Sequence, residues 1–215
     1  ETVLSQVKKD FFESLSEVKE ISDDIIFKRL FNLIESTLRT NYFIPKIEDS
    51  FISIKLDSSK STQMPQPIPY REIYVHDVGF EGTHLRFGPV SRGGLRWSSR
   101  PYDFRTEILG LVKTQQTKNV VIVPVGSKGG FIIKPHVLGS DSIELESKRQ
   151  YRKFISGLLD ITDTVGSKGQ PVTPKNVVCY DSDDPYLVVA ADKGTAMFSD
   201  EANEVSQQYE FWLDD

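Results

Sequence analysis

Apolar residues recur every three or four positions along the first forty residues, which is the spacing of one face of an α-helix. One set predicts a helix within residues 1–20, and a second set predicts another over residues 23–41. Ser22 is placed to cap the second helix, because its hydroxyl can accept a hydrogen bond from the first free backbone N–H groups. The two segments predict an N-terminal helical hairpin.

The period drops to two after Pro45, where Ile52, Ile54 and Leu56 alternate with polar residues and predict a strand. Similar patterns predict strands at 72–78, 83–88, 176–180 and 186–191. Helical spacing returns over 102–117, 142–164 and 199–213, and the proline-rich stretch 58–70 predicts a loop.

Strands that alternate with helices predict an α/β fold. We expect a mixed, mostly parallel open sheet with helices on both faces, in which the functional loops collect at one edge. The helical hairpin is assigned to residues 1–45 and the α/β domain to residues 46–215.

Composition narrows the class of protein. Of the 215 residues, 38% are hydrophobic and 27% charged, and no apolar run reaches the ~20 residues that span a bilayer, so we expect a soluble chain without membrane contact. The formal net charge of -5 argues against binding to a nucleic-acid backbone. The single cysteine, Cys179, lies in an apolar run, which predicts a buried thiol and a reducing, cytoplasmic location.

The stretch NVVIVPVGSKGGFIIK at residues 119–134 joins two β-branched runs through small residues. It predicts two strands with Lys128 at the centre of the glycine loop between them, where a substrate carbonyl could reach the amine. The spacing does not match a phosphate-binding loop, because only Gly126 precedes the lysine and Gly129 follows it. The alternative is an ordinary lysine that extends from a hairpin tip into solvent.

The stretch PVSRGGLRW at residues 89–97 places two arginines around a glycine pair. Gly93 and Gly94 would let the backbone approach a ligand, while Arg92 and Arg96 can each hold a carboxylate through two hydrogen bonds. Lys118 adds a cation at a predicted helix-to-strand junction. Together they predict a pocket for an anionic substrate, although solvated arginines on an exposed turn would explain the stretch equally well.

The stretch PYLVVAADKGTA at residues 185–196 ends an apolar strand at Asp192. A carboxylate there can transfer protons at the ligand edge of a sheet, or it can cap the following turn. The nearby Asp181, Asp183 and Asp184 are interpreted as a solvated turn, because their spacing lacks the glycine and the distant glutamate of a calcium loop. We expect no metal site, since the three histidines are scattered.

In this order, the three stretches resemble the substrate-binding domain of glutamate dehydrogenases. The wording GGLRWSSRPYDFRTEILGLVKTQQTKNVVIVPVGSKGGF, followed by DDPYLVVAADKGTA, is similar to the large, NAD-specific bacterial class. The resemblance covers residues 89–213, whereas residues 1–70 carry no matching motif.

The resemblance implies roles for individual residues. Lys128 corresponds to the catalytic lysine, Asp192 to the catalytic aspartate, and Lys118 to the lysine that binds the substrate α-carboxylate. Arg92 stands where smaller glutamate dehydrogenases have a lysine for the side-chain carboxylate, before the shared Gly-Gly-x-Arg of Gly93, Gly94 and Arg96. The loop PVGSKGG is also shorter than in those enzymes. The resemblance therefore identifies the catalytic pair more directly than the way in which the substrate carboxylates are bound.

The implied reaction is the reversible oxidative deamination of L-glutamate to 2-oxoglutarate and ammonia. Hydride would leave the α-carbon for NAD, water would add to the imine, and ammonia would depart. Lys128 would polarise the carbonyl or activate the water, and Asp192 would carry protons to and from the nitrogen.

Other parts of the enzyme are implied to lie elsewhere. No GxGxxG follows a predicted strand, so we expect a domain outside this chain to bind most of the NAD, and no residue here is assigned to the cofactor. The chain is expected to be an inactive piece of a longer homo-oligomeric enzyme. Two alternatives stay open: a non-catalytic module that binds dicarboxylates, and a dehydrogenase of another amino acid, against which Arg92 argues.

Overall fold

A computed structural model of the protein describes residues 2–45, 51–62, 64–118, 124–138, 142–192 and 198–213, without the side chains of residues 117, 118, 189 and 190. Five α-helices occur in these ranges: α1 (Val3–Leu15), α2 (Ile21–Ser36), α3 (Phe104–Lys118), α4 (Ile143–Leu159) and α5 (Ser199–Gln208). None of these helices is long and apolar enough to cross a membrane.

Eight strands form the main sheet and two short strands form a separate ribbon. In chain order the strands are β1 (Thr37–Thr40), β2 (Ile52–Asp57), β3 (Arg71–His76), β4 (Phe80–Arg86), β5 (Ser91–Trp97), β6 (Val125–Ile133), β7 (Thr164–Val165), β8 (Pro171–Val172), β9 (Val178–Cys179) and β10 (Val188–Ala191). The order across the main sheet is β10, β5, β6, β4, β3, β2, β1, β9, and the ribbon pairs β7 with β8.

The mixed α/β fold and the N-terminal hairpin are confirmed, but the expectation of a mostly parallel sheet is wrong. Among the described residues only β10–β5 and β5–β6 pair in parallel, while the other five pairings of the main sheet are antiparallel. The connections between consecutive strands explain this difference. In the described residues between β2, β3 and β4 there is no α-helix, so these strands fold back on one another, whereas α3 supplies the crossover that parallel β5 and β6 need.

Helices cover both faces of the sheet, as predicted. On one face, α4 and α5 pack against side chains of β3, β5 and β6 in the larger core, which includes Val75, Leu95, Phe131 and Phe154. On the other face, Ile108, Leu109 and Val112 of α3 pack against Leu85 of β4. The two cores thus lie on opposite faces of β4, near the middle of the sheet.

Several predicted elements end sooner than expected. The second helix was predicted to continue to residue 41, but it ends at Ser36, because Thr37–Thr40 pairs with β2 and β9. It begins at Ile21 with Glu20 in the capping position, so Ser22 lies inside the helix. The helices predicted over 142–164 and 199–213 end at Leu159 and Gln208.

The hairpin of α1 and α2 is held together by aromatic rings. Phe11 stacks on Phe31 with ring centroids 4.4 Å apart, and Phe12 meets Phe31 edge to face. Lys8 adds an ion pair with Glu35 across the two helices. Apolar side chains on the outer surface of the hairpin stay exposed, among them Val3, Leu4, Ile26, Leu30 and Ile34.

The glycine-rich stretches fold as strands and not as loops. Residues 125–133 form the single strand β6, so Lys128 does not lie on a loop between two strands, and residues 119–123 lie outside the described part of the chain. Ser91–Trp97 forms β5, which the sequence pattern did not predict. The glycines are required by close neighbours: a methyl group on Gly129 would come within 2.2 Å of Leu95, and one on Gly130 within 2.4 Å of Ile108.

Gly93 offers a test of this packing. A methyl group there would lie 1.6 Å from the carbonyl oxygen of Ser127, a backbone atom that cannot move without breaking the sheet, while one on Gly110 of α3 would meet nothing within 4 Å. We expect Gly93→Ala to lower the free energy of unfolding by at least ~2 kcal/mol, and Gly110→Ala to raise it by up to ~1 kcal/mol. Chemical denaturation of both variants measures this difference, and equal stabilities would contradict the packing described for β5 and β6.

Candidate active site

The two residues assigned to catalysis meet at the parallel end of the main sheet. Lys128 lies in β6 and Asp192 follows β10, with β5 between these two strands. The amine Nζ of Lys128 donates a hydrogen bond of 2.8 Å to Oδ1 of Asp192. Both side chains are largely buried. The lysine is therefore not a solvated residue at a hairpin tip.

The lysine reaches the aspartate across Gly94. The register pairs Ala190 of β10 with Gly94, and it places Gly94 beside Lys128 on the other side of β5. A methyl group on Gly94 would come within 2.7 Å of the Cα atom of Asp192. The missing side chain leaves room for the backbone of Asp192 beside β5.

The two arginines of β5 flank Gly94 on the same face of the sheet, because alternate residues of a strand share a face. Their surroundings differ. Arg92 is exposed and makes no ion pair with the described residues, whereas Nη1 of Arg96 lies 3.6 Å from Oε1 of Glu107. No carboxylate of the described residues occupies Arg92, whereas Glu107 already pairs with Arg96.

The remaining predicted residues fall in or beside this region. Gly93 packs against the backbone of Ser127 and shapes the strand from within the sheet. Lys118 is the last residue of α3, and its side chain lies outside the described part.

Gln115 of α3 also belongs to the site, although sequence reasoning missed it. Its amide Nε2 donates a 3.4 Å hydrogen bond to the carbonyl oxygen of Arg92. Its Oε1 is buried and has no hydrogen-bond partner among the described residues, and this atom would lie 2.8 Å from a methyl group on Gly126. The signal in the sequence was its place one helical turn before Lys118.

No histidine of the described residues lies beside Lys128 and Asp192. His84 contacts Gly129, the strand neighbour of Lys128, and so occupies the opposite face of the sheet. Burial and the nearby charge of Arg86 lower the pKa of His84 to about 3, which keeps it neutral. His76 contacts Lys134 at the end of β3, and His136 is exposed after β6. Among the described residues at this end of the sheet, Lys128 and Asp192 are therefore the pair that could exchange a proton.

The segment that leads into β10 is anchored by a buried ionic network. Arg39 pairs with Asp163 and Asp181, Lys55 pairs with Asp181 and Asp184, and Arg86 pairs with Asp184. The interpretation of the aspartates as a solvated turn is therefore wrong for Asp181 and Asp184, and only Asp183 is exposed. Their partners come from β1, β2 and β4, which no local pattern reveals. In the described ranges no group of three His, Cys, Asp or Glu side chains could hold a metal ion.

The network controls the charge of its carboxylates. Burial alone would raise the pKa of Asp184, but the charges of Arg86 and Lys55 and their hydrogen bonds hold it below its usual value. Arg39 and the backbone N–H of residue 184 likewise hold the pKa of Asp163 low against the effect of burial. Both aspartates are anionic at neutral pH. The half-buried Cys179 nearby has a raised pKa because it too is desolvated.

A family model described as bacterial NAD-glutamate dehydrogenase, catalytic domain, matches residues 10–215. The chain belongs to this family. The match begins in α1, so membership in the family extends well before residue 89, where the sequence motifs start.

The similar proteins include three enzymes named NAD-specific glutamate dehydrogenase, from Pseudomonas aeruginosa, Halomonas elongata and Mycobacterium tuberculosis. They are 53%, 51% and 50% identical to this chain over 94%, 94% and 91% of its length. The chain spans 13% of the length of each of these relatives.

The ionic network predicts a pH-dependent stability. The folded pKa of Asp184 lies below its ordinary value of 3.8, so its contribution is fully present above that pH and is lost as the pH falls through the folded pKa. We expect Asp184→Asn to lower the free energy of unfolding at pH 7 by about 3 kcal/mol, because it leaves buried cations without a partner. The variant should also lose less stability than the wild type below pH ~4.

Denaturant titrations between pH 3 and pH 7 measure both effects. Asp183→Asn is the matched control, since it removes the same charge from an exposed position in the same segment and should change stability by less than ~0.5 kcal/mol. Equal losses for the two variants would contradict the anchoring role of Asp184.

Proposed function

We propose that this chain carries the substrate-binding and catalytic-lysine part of an NAD-dependent glutamate dehydrogenase, which interconverts L-glutamate with 2-oxoglutarate and ammonia. The observation that carries the proposal is the Lys128–Asp192 pair, set beside an exposed and unpaired Arg92 in a chain of this family. An amine, a carboxylate and a free guanidinium are the groups that deamination of a dicarboxylic amino acid needs.

Positively charged side chains bind the substrate. Arg92 binds the side-chain carboxylate through a charge-assisted pair of hydrogen bonds, and Lys118 binds the α-carboxylate at the end of α3. Gly93, Gly94 and Arg96 form the floor and wall of the site on β5. Because Gly94 has no side chain, the substrate α-carbon can lie directly over the strand, within reach of both Lys128 and Asp192.

The proposed reaction depends on proton transfer by Lys128 and Asp192. Lys128 donates to a developing oxyanion on the α-carbon, or it accepts a proton from the attacking water. Asp192, hydrogen-bonded to the amine, takes up and returns protons at the substrate nitrogen. The existing 2.8 Å contact between the two groups gives the proton a direct path between them.

NAD supplies the acceptor for the hydride that leaves the α-carbon. The described residues do not fit its pyrophosphate, because the turn between β5 and α3, residues 98–103, contains no glycine, and Pro135 follows β6. We propose that a part of the polypeptide outside these 215 residues binds NAD and that the full-length enzyme is a homo-oligomer.

The alternative of a non-catalytic dicarboxylate-binding module explains the site less well. Such a module would gain affinity from each cation and would lose it from an anion, yet Asp192 places a carboxylate against Lys128. A dehydrogenase of an apolar amino acid would leave Arg92 without a function. Asp192 therefore argues against the first alternative, and Arg92 argues against the second.

Lys128→Ala in the full-length enzyme tests the proposal. We expect glutamate-dependent NAD reduction at saturating substrate to fall at least ~100-fold, the usual cost of removing a positioned acid–base or electrostatic group. Lys168→Ala removes an exposed lysine from the β7–β8 turn and should leave turnover unchanged. Near-normal turnover of the Lys128→Ala variant would show that this lysine is not catalytic.

A further inference from the structure

Two cations of the described residues, Lys128 and Arg96, lie on the strands beside Asp192, and the carboxylate is hydrogen-bonded to Lys128. Its backbone N–H donates to the carbonyl oxygen of Leu95, which continues the parallel β10–β5 ladder and sets Asp192 beside Arg96. In-register neighbours on adjacent strands lie ~5 Å apart with their side chains on the same face. The carboxylate nonetheless bonds to Lys128, and the guanidinium of Arg96 turns to Glu107.

Glu107 is held firmly enough to attract that guanidinium. The hydroxyl of Ser98 donates to Oε2 of Glu107 at 2.6 Å, which leaves Oε1 directed at Arg96. Ser98 is itself buried, and its backbone N–H donates to the carbonyl oxygen of Phe131 in β6. Glu107 also occupies the first turn of α3, where the helix dipole favours a negative charge.

Without Glu107, the arginine would be the stronger competitor for Asp192. A guanidinium can grip a carboxylate through two parallel hydrogen bonds, whereas an ammonium group acts as a single point charge. A carboxylate gripped in this way turns from Lys128 and from the substrate nitrogen. The competition would remove the proton path without removing any catalytic group.

We propose that Glu107 is a positioning residue that draws Arg96 away from Asp192 and so reserves Asp192 for Lys128. This inference rests on the proposed function, since it assigns a task to Asp192 in that reaction. In this proposal Glu107 acts through Arg96. Its effect on turnover should therefore depend on Arg96, whereas a general contribution to stability would not.

A double-mutant cycle in the full-length enzyme tests the inference. Glu107→Gln keeps the size and the Ser98 contact but removes the charge that attracts Arg96, so kcat for glutamate-dependent NAD reduction should fall by about 10- to 100-fold, the scale of a misplaced catalytic group. The KM for glutamate should change by less than ~3-fold, because Arg92 and Lys118 are untouched. When Arg96→Gln is already present, adding Glu107→Gln should change kcat by less than ~2-fold.

Asp103→Asn is the matched control, because it removes a carboxylate of an exposed ion pair, with Arg100, one turn before Glu107. It should leave kcat unchanged. A wild-type kcat in the Glu107→Gln variant would overturn the inference. So would an equal loss of kcat from Glu107→Gln in the wild-type and the Arg96→Gln backgrounds, which is the result that a folding defect would give. An enzyme that reduces NAD with glutamate equally well with and without Lys128 would refute the proposed function itself.

Discussion

The amine of Lys128 in β6 meets the carboxylate of Asp192, which follows β10, across the strand β5, and Gly94 of β5 has no side chain where Asp192 packs against it. The contact therefore depends on the register of β5. A slip of one residue would turn Gly94 to the other face of the sheet, and in one direction it would put the side chain of Leu95 in its place. Leu95 prevents the slip, since it is fully buried in the core beside Phe131. Packing on one face of the sheet thus fixes the chemistry on the other.

The buried ionic network serves the same geometry from the other end of β10. Three cations from β1, β2 and β4 hold three aspartates, and Asp184 of this set lies shortly before the strand that ends at Asp192. Buried ion pairs are a weak source of net stability, because desolvation opposes the attraction. Their directional bonds instead fix one path for the segment 181–187. Asp192 is thus positioned by the sheet and, through the preceding segment, by the hydrogen bonds that Arg86 and Lys55 donate to Asp184.

The residues that we propose for the chemistry stand in short motifs, whereas their structural setting could not be predicted from the sequence. Lys128, Asp192 and Arg92 stand in distinctive stretches, and the apolar period of α4 predicted its helix because one broad face packs on the sheet. The glycine-rich stretches were wrongly predicted as loops, because such stretches are typical of turns. Nothing in the local sequence shows that the side chains of Leu95 and Ile108 pack against Gly129 and Gly130. Asp181 and Asp184 were misinterpreted for the same reason, since their partners are 98 to 142 residues away along the chain. The strand Thr37–Thr40 also depends on distant pairing, which overrode the helical period.

A structure of the full-length enzyme with bound 2-oxoglutarate tests this account most directly. The account predicts that the ligand lies over Gly94, with its carbonyl oxygen ~3 Å from Nζ of Lys128, a hydrogen-bond distance, and with its side-chain carboxylate on Arg92. A dicarboxylate bound away from β5 and β6, or one whose carbonyl oxygen is beyond the reach of Lys128, would contradict it.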